Sequence, residues 1–131
     1  MHDRPTFDEL LRAVELLLED ELVPALEGAR QYNARVAANV LRAVRRELAL
    51  EEGQLEQEWR GLDVVLGPMD LPSSREAVLA ALWKRNEHLA ERIRAGDADD
   101  DAVDFHAITV AHLRDVVRAK LEVSNPAWLE Q

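Results

Sequence analysis

The sequence predicts an all-α protein, a single-domain bundle of about five helices, and three observations carry that expectation. Ala, Leu, Glu and Arg, all strong helix formers, dominate a chain with only 5 Gly and 5 Pro. Apolar residues recur at helical spacing in five segments, each bounded by capping or breaking residues. Aromatic content is 5% and β-branched runs are short, which leaves little from which to build strands. The 131 residues are read as one helical domain, 1–131, long enough to bury roughly two-thirds of the unfolded surface.

Thr6 followed by Glu9 is a capping box, and it opens a first helix reaching about Leu22. Phe7, Leu10, Leu11, Val14, Leu17 and Leu18 form one broad apolar stripe on it. Leu16 falls off that stripe. Pro24 and Gly28 break the chain before a second helix, Gln31 to about Leu50. At about 100° per residue, Arg35, Asn39, Arg42 and Arg46 share one face of it with Tyr32. Val36, Val40, Leu41, Val44 and Leu48 lie on the opposite arc, together with Asn33. Gly53 marks an end or a kink. A shorter third helix carries Leu55, Trp59, Leu62 and Leu66 and stops at Gly67-Pro68. After the loop PMDLPSS, Ser73 with Glu76 is a second capping box. The fourth helix turns Val78, Leu79, Leu82, Leu89 and Ile93 inward, with Asn86 also at a core angle, and Gly96 closes it. The acidic run DADDD is a solvated loop and helix start, favoured there by the dipole. The fifth helix runs from about Ala102 to Val123, with Val110, Leu113, Val116, Val117 and Leu121 on its apolar arc. Asn125-Pro126 ends it, and Trp128 and Leu129 are expected to fold back.

Charge narrows the function. With 26 acidic against 16 basic side chains the net charge is −10, a field that repels phosphate backbones and anionic membrane surfaces. Nucleic-acid and membrane partners are therefore not expected. No apolar run approaches the ~20 residues that span a bilayer, and MHDRPTFDEL lacks the layout of a signal peptide. A cytoplasmic protein is the expectation. Cys is absent, which removes thiol catalysis.

Catalytic patterns are missing. His2, His88, His106 and His112 include no i,i+4 pair and no Glu-x-x-His, so no zinc or di-iron site is expected. There is no Gly-rich phosphate loop and no GxSxG, and no cofactor is implied. Polar groups inside apolar arcs are the nearest thing to a site. Lys120 and His106 project into the apolar arc of the last helix. Lys120 either reaches the edge or pairs with a carboxylate such as Glu47. Alternatively it lines a cleft with Arg35 and Asn39, a candidate carboxylate- or phosphate-binding or catalytic module. The arginine face is otherwise a flank with acidic partners. The off-stripe residues Leu16, Val64 and Ile108, with Trp128, are the candidate interaction surface.

RPTFDELLRAV with LVPALEG, ARVAANVLRAVRREL, NEHLAERIRAG and AHLRDVVRAKLEVSNPAWL together resemble an uncharacterised bacterial family of small helical proteins, a domain of unknown function. The resemblance covers most of the chain except about Glu51 to Ser74. It carries Arg4, Pro5, Thr6, Arg35, Asn39, Lys120, Asn125 and Pro126. Members often have His where this chain has Asn33, and the acidic insert around DADDD is longer here. The family is encoded beside, or named as partner of, aminoglycoside-phosphotransferase-like kinases and acyl-CoA dehydrogenases. The resemblance thus implies a non-enzymatic accessory protein acting with one of these in acyl-CoA or related carboxylate metabolism. A homodimer through the off-stripe residues is a further expectation.

Overall fold

In a computed structural model the described residues, 3–100 and 103–131, are helical throughout apart from short connections, with no strand among them. His2, Asp101 and the expected helix start at Ala102 lie outside the described residues. α1 is Phe7–Leu16 and continues through a π-helical stretch, Leu17–Leu22, into one last turn, Val23–Ala25. α2 is Gly28–Leu66, α3 Arg75–Arg94 and α4 Asp104–Ser124, and a 3-10 turn follows at Pro126–Leu129. Two compact units are present: residues 1–50 with 122–131, and residues 51–121. Their boundaries fall inside α2 and α4. No described helix is long and apolar enough to cross a membrane.

α1 begins as expected. The Thr6 hydroxyl accepts from the Glu9 amide at 3.2 Å and the Glu9 carboxylate accepts from the Thr6 amide at 2.8 Å. Pro24 lacks an N–H, so a carbonyl one turn earlier has no helical donor, and the backbone widens to π geometry just ahead of it. Leu26 is extended, and Gly28 takes a positive φ that starts α2 in a new direction.

Helix boundaries differ from expectation at two places. The second and third helices are one, because Gly53 keeps helical geometry in α2. Its cost of about 1 kcal/mol is outweighed by the helix formers on both sides. The N-cap of α3 is Ser74, accepting from the Ala77 amide at 3.2 Å, and not Ser73.

The unit formed by residues 51–121 has a conventional core. Trp59, Leu62 and Val65 of α2 meet Val78, Leu82 and Leu89 of α3, with Leu55, Leu66, Ile93, Phe105 and Ile108 packed around them. Each such side chain contributes roughly 1.5–3 kcal/mol on burial. α4 is turned by about one residue from expectation: Thr109 and His112 are its buried residues, while Leu113 and Val117 are exposed.

The other unit is built differently. Among its described residues only Ala34, Ala38 and Glu15 are buried. α2 presents its alanine–arginine arc to α1, and the expected inward arc of Val36, Val40, Val44 and Leu48 is exposed. Asn33 is exposed as well. The reason is size and charge. Ala34 and Ala38 allow close approach, and α1 supplies carboxylates that arginines, not valines, can satisfy. Trp128 and Leu129 remain exposed and do not fold into a core.

Candidate functional site

The α1–α2 seam is a network of carboxylates and guanidinium groups. Glu15 is buried in phase with Leu11 and Leu18. Its carboxylate accepts from Arg42 Nε at 3.0 Å and from Arg45 Nη1 at 2.7 Å. Arg45 also donates Nε and Nη2 to both oxygens of Asp8, at 2.7 and 3.1 Å, the fork geometry that suits a carboxylate. Arg42 pairs with Glu19 and donates to Asn39 Oδ1. Arg46 turns elsewhere and donates to the Val123 carbonyl at 2.7 Å.

This wiring sets the protonation states. Burial pushes the Glu15 carboxyl up, but hydrogen bonds from Arg45 and Arg42 outweigh it and hold it below the usual carboxylate range. The hydrogen bond from Arg45 does the same for Asp8, and the two carboxylates raise the Arg45 guanidinium further. Carboxylates locked in the ionised form do not exchange protons near neutrality, so the seam is a fastening and not an acid–base site. At its edge Arg35 and Asn39 line a cleft of about 240 Å³ with Glu19 and Val23.

The second polar cluster lies in the core of residues 51–121. Arg85 sits on the buried stripe of α3 between Leu82 and Leu89. Its guanidinium stacks 4.7 Å from the Trp59 ring centroid and donates Nη2 to the Gly67 carbonyl at 2.9 Å. Nη1 forms an ion pair with Asp63 Oδ1 at 2.9 Å, off-line for a hydrogen bond. Asp63 also accepts from the Met69 amide at 3.2 Å, and Trp59 Nε1 donates to the Met69 carbonyl at 3.0 Å. Together they tie down the chain after α2, where Gly67 has φ +101°.

Next to this, His112 of α4 presses the Nδ1 edge of its ring against Gly61 of α2, where any Cβ would lie 2.3 Å from Nδ1. His112 Nε2 and Thr109 Oγ1 are buried without a hydrogen-bond partner. Asn86 donates to Glu58 at 2.7 Å. Burial pushes the His112 imidazole down, with Arg85 adding to it against the opposing fields of Glu58 and Asp115. A neutral imidazole closed in this way is a core group, shielded from any substrate.

The nominated residues divide between the units. Arg35 and Asn39 share one cleft, while Lys120 belongs to residues 51–121 and is exposed. His106 hydrogen-bonds the Ala98 carbonyl at 2.7 Å. Leu16 and Trp128 are exposed in the first unit and Val64 in the second. Ile108, expected at the surface, is half-buried against the Trp59–Leu89 core, because α4 turns that face inward. Trp83, outside the expected interaction surface, is 75% exposed. Its signal was available: it lies well off the Val78–Leu82–Leu89 stripe.

These features define an all-helical protein in which an ion-paired helical hairpin and a small apolar core coexist, without an organised catalytic constellation among the described residues. The chain belongs to the family described as a domain of unknown function, DUF6285, which matches residues 24–128. Arg4, Pro5 and Thr6, carried by the resemblance, lie outside that match, whereas Glu51 to Ser74 lies inside it. Neither the curated proteins nor the solved structures provide a match.

Proposed function

We propose that the chain is a non-enzymatic cytoplasmic accessory protein that docks on a phosphotransferase-like kinase or an acyl-CoA dehydrogenase, the partners its resemblance implies. The observation that carries this reading is Trp83, an indole three-quarters exposed on a well-formed helix. Exposed Trp is costly to leave in water and is enriched among the anchors that dominate binding energy. Val64 is a second exposed apolar residue of the same unit. The ionisable side chains held in the interior support the non-enzymatic part, since each is ion-paired or shielded.

Calorimetric titration of the purified chain into each purified candidate partner tests the reading. Saturable binding to one of them is expected, weakened about 30-fold by Trp83→Ala, the ~2 kcal/mol of an anchor residue. Binding to neither, or an affinity that Trp83→Ala leaves unchanged, removes the proposal.

The cleft of Arg35 and Asn39 supports a second reading, recognition of a small carboxylate or phosphate. Glu19 lines the same cleft and opposes an anion there. Titration with inorganic phosphate and with acetate, followed by the amide signals of Arg35 and Asn39, decides it. Absence of saturable shifts ends that reading.

A further inference from the structure

The hairpin of α1 and residues 28–50 of α2 leaves an apolar flank uncovered. Phe7, Leu10, Val14 and Leu17 follow one another at spacings of three, four and three, one stripe of α1. Val40, Val44 and Leu48 form a stripe of α2 at spacings of four. The two stripes open on the same side, because Phe7, Leu10 and Leu48 line one concavity of about 580 Å³ together with Arg45. The remaining part of this unit, residues 122–131, approaches elsewhere: Arg46 reaches the Val123 carbonyl. At about 100° per residue Arg46 points about 160° away from both Val44 and Leu48.

We propose that this flank is the dimer interface, occupied by a second copy of the chain to form a four-helix layer in which each α1 lies over its partner's α2. Area is the first argument. The seven side chains are between 38% and 79% exposed and offer on the order of 650 Å² of surface. That exceeds the apolar share, about two-thirds, of the ~800 Å² each partner gives to a stable interface.

Charge is the second argument, and it selects the arrangement. With Asp8, Glu15, Glu19, Arg42 and Arg45 set aside as pairs within the seam, residues 7–22 keep three acidic side chains and one basic, a net of −2, whereas residues 28–50 keep three arginines and one glutamate, a net of +2. A two-fold axis parallel to the helices places each acidic α1 against a basic α2, with all neighbours antiparallel, as in an up-down bundle. An axis across the helices would set α1 on α1, acid on acid. In the favoured arrangement heights are preserved, so Leu10 meets Leu48 of the other copy. The inference is independent of the Trp83 reading, since it concerns the other unit and another occupant.

Sedimentation velocity from low to high micromolar concentration, with circular dichroism as the control for folding, tests it. The parent is expected at twice 14.8 kDa. Leu10→Lys and Leu48→Glu, both at exposed positions, are expected to be helical monomers when alone and to form a 1:1 dimer when mixed. A parent that stays monomeric throughout, or a dimer that both variants retain, overturns the proposal. Monomeric variants that fail to pair on mixing overturn the α1-over-α2 arrangement. A monomer whose α1 amides are protected from hydrogen exchange only when a kinase or dehydrogenase is added would give the flank to that partner and likewise refute a second copy.

Discussion

Gly61→Ala sets two known effects against each other. In a helix interior, alanine is favoured over glycine by about 1 kcal/mol. At position 61 the added methyl would lie 2.3 Å from His112 Nδ1 and 3.0 Å from its Cε1, inside the closest approach of real atoms. The obstacle is a buried ring, held between α2 and α4, and not the tip of a flexible side chain. Relief requires moving α4 or forcing the imidazole off its rotamer, and overpacking of this kind costs about 1–3 kcal/mol. With a contact this close the clash wins, and a net destabilisation of up to about 2 kcal/mol is expected. In a His112→Ala background the ring is gone and only the helix preference remains. There Gly61→Ala is expected to stabilise by about 1 kcal/mol, a reversal of sign. Urea unfolding followed by tryptophan fluorescence, with Trp59 buried in the same unit, reads both. A stabilising Gly61→Ala in the parent, or equal effects in the two backgrounds, would show that His112 does not press on Gly61.

Two further outcomes follow from the ionisable groups. His112 binds a proton less readily in the folded protein than the ordinary 6.5, so above that pH it adds no pH dependence. As pH falls below 6.5 the unfolded chain takes the proton first, and stability should decline by up to about 1.4 kcal/mol per pH unit. Glu15 and Glu51 are held below their ordinary 4.5, so their contribution is full above 4.5 and is lost as pH falls through the lowered values. His112→Gln should therefore flatten the fall of urea midpoints just below pH 6.5, and a slope there unchanged by that substitution would refute the assignment. Glu15→Ala leaves Arg42 and Arg45 facing the seam with only Glu19 and Asp8 to pair them. A loss of about 2–3 kcal/mol is expected, below that of a fully buried pair because both arginines reach water. Faster hydrogen exchange in α1 with little change in α3 would confirm it; uniform protection would not.

Much of this architecture was legible. The Thr6 capping box, the stripe of Val78, Leu82 and Leu89, and the burial of Trp59 and Leu62 follow from local spacing. The more apolar arc of a helix does not always turn inward. On α2 the arc of Ala34, Ala38, Arg42 and Arg45 does so, because Asp8, Glu15 and Glu19 of α1 meet it. The clue lay in α1, where Glu15 occupies a core phase between Leu11 and Leu18. Arg85 gave the same clue, standing in phase with Leu82 and Leu89. A charged residue at a core phase announces a buried partner without saying where it lies in the chain.

The sequence by itself determined the helical class, most helix ends and the apolar stripes of α3, because those depend on propensities and contacts within a few residues. Only the tertiary structure decided that α4 lays His112 against Gly61, where a side chain would not fit. It alone divided Arg35 and Asn39 from Lys120 between two units. It also left the apolar flank of α1 and α2 open. Each of these depends on which surface a helix meets, and that is set by shape and charge on residues far away in the chain.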